Sequence, residues 1–249
     1  KEKDKVKIFN IDNFRNSYRG VKKNYVASKK EIKSTYNIFI EDNENFCVIN
    51  KPAGIAVQSG TKSKKNLLDI LRSTKEFKQS TPFPVHRIDK DTSGLLIVAK
   101  NRKYAQLFTS LFRIRKIHKL YLGIVVGKIS ENKGIFQDNL FYYEGNKKIQ
   151  LLAVTNYKVI DSNNSYSLLK LVPQTGRKHQ LRKQLLIHGH PILGDIKYNF
   201  PTSHKNKKNS LMLHAYKLKF LIDGIKYSFT ADLPDLFKKT LKEKDLKIS

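Results

Sequence analysis

Two carboxylates, Asp89 and Asp91, stand two residues apart on a turn that leads into an apolar run, within PVHRIDKDTSGLLIVAK, Pro84 to Lys100. One chemistry for such a pair is a metal loop, because Asp89, Asp91, Ser93 and Gly94 match the opening of a calcium-binding EF-hand. The match fails at the twelfth position, where a bidentate Glu should stand and Lys100 does, and no helix pattern precedes the loop. No bound metal is expected. Asp91 reads as an Asx-turn residue whose side chain satisfies backbone N–H groups. Asp89 is different: it follows His86 and Arg87 at the head of an apolar strand, where a carboxylate is partly desolvated and needs a cation to stay ionised. His86 itself reads as a structural neighbour.

A source of that cation lies in LVPQTGRKHQLRKQLLIHGHPILGD, Leu171 to Asp195. Arg177, Lys178, Arg182 and Lys183 cluster at the start of a helix whose Leu181, Leu185 and Leu186 share one face. Arg177 and Lys183 are expected to face solvent as phosphate contacts, with Lys178 in the same basic group. Arg182 follows Leu181 by one residue, so its direction stays open. A helix start that merely binds phosphate would suffice to explain the cluster, with no catalysis implied.

The elements that must hold these groups read as short β runs between punctuation. Strands are expected at 46–50, 95–100, 121–126, 151–160, 166–172 and 211–220. Helices are expected at 67–72, 103–114, 178–188 and 235–244. In the second helix Tyr104, Leu107, Phe108, Leu111 and Phe112 recur at helical spacing and read as core. Strands outnumber helices and follow one another directly, so the class is α+β with a mainly antiparallel sheet. Residues 1–37 read as a basic extension, either a disordered tail or the trailing piece of a small RNA-binding module. Residues 38–249 read as one body.

Composition narrows the partners. Lys and Arg number 49 against 21 Asp and Glu, a net charge of +28. Such an excess repels itself unless phosphates neutralise it, so a polyanion, nucleic acid first, is the expected partner, with codon bias in a Lys- and Asn-rich chain or attraction to a membrane surface as the competing sources. The longest apolar run, Leu95 to Ala99, is far too short to span a bilayer, which needs ~20 residues. A single cysteine, Cys47, excludes an internal disulfide and a multi-cysteine zinc site. The charged N-terminus lacks a signal core, and a reducing, cytoplasmic setting is expected, an organellar one staying open.

HRIDKDTSGLLIVAK resembles the central motif of the RluA family of RNA pseudouridine synthases, HRLD-x-DTSGLL-x-VAK, with Ile88 in place of Leu. NKPAGIAVQSG, KLYLGIVVG, TGRKHQLR, GHPILGD and LMLHAYKLKF agree with the family in the same order, so the resemblance spans about residues 38–234. The RluC-like branch, which modifies large-subunit ribosomal RNA, is the nearest in appearance. The stretch before Ala153, GNKKIQLLAVTNY, fits the family loosely.

The resemblance implies a pseudouridine synthase fold, a bent, mainly antiparallel sheet flanked by helices and loops around a basic RNA-binding cleft. It makes Asp89 the catalytic aspartate, Tyr121 the tyrosine that packs on the target base, and Arg182 the partner that keeps the aspartate ionised. Arg87 becomes the arginine that helps displace the target nucleotide. Leu213, His214 and Ala215 become pocket wall. It further implies that residues 1–37 are the end of an S4-type module, and the loop His204 to Asn209 reads as a basic RNA-contacting surface.

The chemistry so implied is an isomerisation: the N1 glycosidic bond breaks and carbon 5 of the ring bonds to the same sugar, without net redox change. No cofactor is required. One ionised carboxylate suits the task as nucleophile or base, and attack at the base, attack at the sugar and proton abstraction from the sugar all stay open. A paired uridine must first be flipped out, at a cost of a few kcal/mol. The expected partner is RNA, ribosomal or transfer, and the expected working form is a monomer without a membrane. A tRNA-directed synthase and a non-catalytic RNA-binding or ribosome-assembly factor on the same scaffold are the alternatives.

Overall fold

The computed structural model describes residues 25, 27–58, 65–145, 147–200 and 210–248. Most of the expected N-terminal extension and the basic loop His204 to Asn209 therefore lie outside the described residues. The described end of that extension carries a short helix, α1 (Lys29–Ser34), closed by a capping box between Ser28 and Glu31.

Among the described residues ten strands form one sheet: β1 (Phe39–Asp42), β2 (Phe46–Lys51), β3 (Phe83–Pro84), β4 (Ser93–Ala99), β5 (His118–Val126), β6 (Lys133–Glu144), β7 (Lys147–Ser162), β8 (Tyr166–Pro173), β9 (Leu213–Ile222) and β10 (Ile225–Thr230). Their order is β1-β2-β4-β9-β5-β8-β7-β6, with β3 added to β4 and β10 to β9. All pairings but one are antiparallel, which agrees with the class read from the sequence. The exception joins β4 to β9 in parallel through only Ser93↔His214 and Gly94↔Ala215.

The apolar run of β4 is fully buried because both faces are covered. Leu96 and Val98 pack with Ile49, Leu67, Leu71 and Phe77, whereas Leu95, Ile97 and Ala99 pack with Phe46, Phe108 and Phe220. The short helix α2 (Leu67–Leu71) supplies Leu67 and Leu71 of the first set. The helix α3 (Arg102–Arg113) supplies Phe108, edge-on to Phe46 at 5.1 Å and to Phe220 at 5.4 Å. The Tyr104 to Phe112 stripe is thus core, as its spacing indicates. A third cluster lies across the junction, where β5 and β8 meet the helices α4 (Gln180–Ile187) and α5 (Asp235–Glu243) through Leu122, Leu169, Leu181, Leu185 and Phe237. Tyr121 packs against two of the three clusters, which places it at the seam of the molecule.

The junction depends on Gly94. Its φ is +107°, and a β-carbon there would meet Ala215 N at 2.7 Å and Ala215 C at 2.8 Å, with the Ala215 carbonyl oxygen closer still. Gly94→Ala is therefore expected to lower the unfolding free energy by at least about 2 kcal/mol, measured by urea denaturation, since strain and a backbone clash coincide.

Four strands, β1, β3, β6 and β10, are not legible in the sequence. In β6 the alternation is filled by exposed apolar residues such as Ile135, Phe141 and Tyr143, which hides the period-two signal of a half-buried strand, whereas β10 does alternate, Ile225, Tyr227 and Phe229 against Lys226, Ser228 and Thr230, over only six residues. β3 has two residues and exists only by pairing with β4.

Candidate active site

The seam opens into a cavity of about 580 Å³. Arg87, Arg113, Arg115, Lys119, Arg177 and Arg182 contribute cationic side chains to its lining, and Asp89 is the one carboxylate among the lining residues. Tyr121 and Leu213 line it as well.

Asp89 is delivered by the turn between β3 and β4, closed by a bond from Thr92 N to Asp89 O at 3.2 Å. Asp91 accepts no backbone hydrogen bond among the described residues, so the Asx turn expected of it is replaced by this main-chain closure. Two groups, one half-buried and one wholly buried, fix the segment. His86 continues the β3–β4 ladder with its ring: Ile97 N donates to Nε2 at 2.9 Å, and the ring lies on Phe112 at 4.3 Å. Lys51 at the end of β2 is wholly buried and donates to the carbonyls of Pro52, Ile55 and Lys90 at 2.8, 3.0 and 3.0 Å. One of those carbonyls is next to Asp89. Burial pushes Lys51 down to about 7, while Asp91 and Asp89 pull it the other way.

Arg182, whose direction the sequence leaves open, points inward. Its Nη1 donates to Asp89 Oδ2 at 3.1 Å, and its Nε and Nη2 donate to Asp195 at 2.7 and 2.9 Å. Burial works against the guanidinium charge, but the hydrogen bonds and fields of Asp195, then of Asp89, outweigh it and hold the group above its ordinary range. Asp195 is wholly buried and also accepts from Lys197 N and Tyr198 N, both at 2.9 Å. Its position is set by Gly194, φ +80°, where any β-carbon would collide with the Ser210 carbonyl. Burial, and then the nearby Asp89 charge, push the Tyr121 phenol well above its usual range, so it stays neutral. Beside Tyr121 the β5–β9 register slips by one residue, a bulge of the kind that re-aims a side chain.

Helix α4 is aimed by buried amides. Thr175 Oγ1 donates to Gln180 Oε1 at 2.7 Å, and Gln180 Nε2 donates to Thr155 Oγ1 at 2.9 Å and Val154 O at 3.1 Å. Gln184 Oε1 accepts from Thr155 Oγ1 at 2.7 Å, and its Nε2 faces Asp138 Oδ2 at 2.8 Å and the Phe136 carbonyl at 3.1 Å. These bonds tie the helix to β6 and β7, and so fix where Arg182 emerges.

The remaining expected site residues divide. Arg87 lines the cavity and makes no ion pair among the described residues. Arg177 lines it too, though its Nε is committed to Leu152 O at 3.1 Å. Lys178 lies at the entrance to the helix, outside the cavity lining. Lys183 lies at the surface, half-buried, where its ammonium donates to Phe141 O at 2.9 Å and sits 4.0 Å from the Tyr142 ring. His214 is a correction. It is wholly buried, away from the cavity lining, with Nδ1 2.8 Å from Ser93 Oγ, so it stitches β4 to β9 and has no surface to offer RNA. Strand alternation accounts for the difference, since adjacent Leu213 takes the cavity face.

Burial pushes His86 down to about 3 and His214 down to about 4, from an ordinary value of 6.5. Unfolding frees both to take up protons at their ordinary value, so below pH 6.5 the unfolded chain binds more protons than the folded one. Stability is expected to be full above pH 6.5 and to fall as pH drops from there towards about 4, by up to roughly 1.4 kcal/mol per pH unit for each histidine. Urea midpoints between pH 7 and 4 measure this, and His214→Gln should flatten the slope.

A family model described as RNA pseudouridylate synthase matches residues 45–186, more than half of the chain. The chain belongs to the RluA family of RNA pseudouridine synthases. Among similar proteins, a ribosomal large subunit pseudouridine synthase C of Rickettsia conorii is 36% identical over 223 residues, 85% of this chain and 72% of that one. A tRNA pseudouridine synthase C of Haemophilus ducreyi is 35% identical over 209 residues, 74% of this chain and 84% of that one. Of solved structures, human RNA pseudouridylate synthase domain containing 4 superposes with a TM-score of 0.75 at 26% identity, covering 87% of this chain and 96% of that one. The RluA motifs quoted from the sequence thus lie where the cavity is built: HRID, KLY and HQLR all contribute lining residues.

Sequence reasoning does not single out Asp195, His179, Tyr198 or Lys51. Asp195 carries a usable signal, an acid directly after a glycine in GHPILGD, downstream of an arginine whose partner is unknown at that stage. Lys51 carries another, a cation ending a strand whose other residues are nearly all apolar.

Proposed function

We propose that this chain converts uridine to pseudouridine in large-subunit ribosomal RNA, with Asp89 as the catalytic carboxylate. One observation carries the reading: a single carboxylate, bonded to a buried arginine, stands in a cavity whose lining also holds several Lys and Arg side chains and a tyrosine. The reaction breaks the N1–C1′ bond, forms C1′–C5, moves the proton of C5 away and returns one to N1, so electrons balance within the substrate. Every route starts from a carboxylate oxygen, and Arg182 holds the other one at 3.1 Å. Tyr121 offers an aromatic face at neutral charge, suited to stacking an everted ring. Arg87, Arg113, Arg115 and Lys119 suit the flanking phosphates, and the +28 charge suits the polyanion as a whole.

A non-catalytic RNA-binding factor on this scaffold would tolerate loss of the carboxylate, its arginine or the tyrosine, yet Asp89, Arg182 and Tyr121 meet at one cavity. Ribosomal RNA is favoured by the Rickettsia conorii relative, and transfer RNA, the second reading, by the Haemophilus ducreyi one. The working unit is proposed as a monomer and its place as the cytoplasm, the latter in keeping with a lone, buried cysteine. Mapping pseudouridine in RNA from cells lacking this protein decides the substrate. Loss of a modification in large-subunit ribosomal RNA supports the reading, and loss confined to transfer RNA replaces it with the second.

A further inference from the structure

Asp89 has two oxygens, and the structure treats them differently. Oδ2 is held by Arg182 at 3.1 Å, whereas Oδ1 faces His179 Nε2 at 3.6 Å, beyond hydrogen-bond length. On the far side of the same imidazole, Nδ1 lies 2.8 Å from the Tyr198 hydroxyl. Tyr198 is itself fixed: its N–H bonds Asp195, and its ring lies 5.0 Å from the Arg182 guanidinium and edge-on to His179 at 5.5 Å. His179 adopts φ +55°, ψ +29°, a left-handed conformation uncommon outside glycine, immediately before α4. The circuit closes through Asp195, which anchors both Arg182 and Tyr198.

We propose that His179 is a positioning residue for Asp89, held by Tyr198 in the tautomer that carries its proton on Nε2, so that Oδ1 is the oxygen presented to the uridine. This rests on the assignment of Asp89 as the catalytic group. Burial lowers the imidazole's proton affinity, and Arg182, Lys197 and Lys178 lower it further against the opposing pull of Asp89, so the ring is neutral near pH 7. A neutral ring has one N–H. A carboxylate can only accept, so Nε2–H facing Asp89 is favourable and a bare Nε2 lone pair there is repulsive. That leaves Nδ1 as acceptor, and Tyr198 as its donor. The tyrosine thereby selects the tautomer as well as the ring plane.

Two measurements on the full chain test this. Ring-nitrogen NMR of 15N-histidine protein at pH 7.5, with the His179 signals identified by their loss in His179→Asn, should show a protonated Nε2 and a bare Nδ1, and Tyr198→Phe should shift His179 towards a mixture of tautomers. A protonated Nδ1 with bare Nε2, or an imidazolium, in the unaltered protein overturns the proposal. Single-turnover tritium release from 5-tritiated uridine RNA should fall about tenfold in Tyr198→Phe with KM for RNA within twofold. His179→Gln, whose amide N–H reaches towards the place of Nε2, should retain several-fold more rate than His179→Asn, which accepts the left-handed backbone but places its amide nearer the ring's Nδ1. Unchanged rates in both Tyr198→Phe and His179→Asn, or losses expressed only in KM, overturn the proposal. The NMR arm reads the His179–Tyr198 pair without turnover, so a failure there is distinct from a protein that isomerises no uridine.

Discussion

Arg182→Ala is expected to cost about 3–5 kcal/mol of stability, the usual loss when one member of a buried ion pair is removed and the other stays desolvated and unpaired. Single-turnover rate should fall at least about 100-fold in the same variant, the scale on which a lost charge-stabilising donor acts. Asp195 is wholly buried, and without the guanidinium its charge has only the N–H groups of Lys197 and Tyr198 to answer it. The catalytic loss has a separate origin: Asp89 loses the bond to Oδ2 and with it the contact that holds the carboxylate in place. Arg182→Lys should recover only a fraction of either, since one ammonium lacks the planar fork that reaches both carboxylates together. Urea denaturation measures the first effect and tritium release the second. A variant as stable as the parent would show that the Asp89–Arg182–Asp195 array is not the anchor of the site.

Asp89→Asn is expected to remove activity altogether, at least about 10⁴-fold, with RNA affinity changed by no more than a few-fold. The amide keeps the size of the side chain and an oxygen for Arg182, but it is neither a nucleophile nor a base. RNA affinity rests on phosphates and cations distributed across the cavity, of which none is removed. Binding should strengthen slightly, because one negative charge beside the RNA is gone. Filter binding and tritium release on the same preparation separate the two quantities, and full activity in the variant would refute the assignment of Asp89.

Much of this site is legible without coordinates because its groups sit in short, chemically unusual strings. A charged residue at the head of a run such as SGLLIVA announces a desolvated carboxylate, and the run itself announces a strand covered on both sides. The class follows from strands succeeding one another without intervening helices. What stays hidden depends on long-range partnership. Arg182 cannot be aimed from the sequence, because its neighbours Gln180 and Gln184 look like surface residues until β6 and β7 supply their hydrogen-bond partners. The motif groups His214 with Leu213 as pocket wall, although adjacent strand residues face opposite ways. His179 gives no sign of its left-handed backbone, and its partner Tyr198 lies 19 residues away. β6 escapes because apolar residues stand on its exposed face too, and local periodicity cannot register a strand of that kind.

The most direct measurement is a crystal structure of Asp89→Asn bound to an RNA stem containing the uridine that mapping identifies. The account predicts that nucleotide rotated out of its helix, its ring lying on Tyr121 and its sugar or ring within about 3.5 Å of the substituted side chain at position 89, the contact distance of a reacting pair. A complex in which the uridine stays stacked in the RNA, or in which the cavity is empty and the RNA lies on another face of the protein, would contradict it.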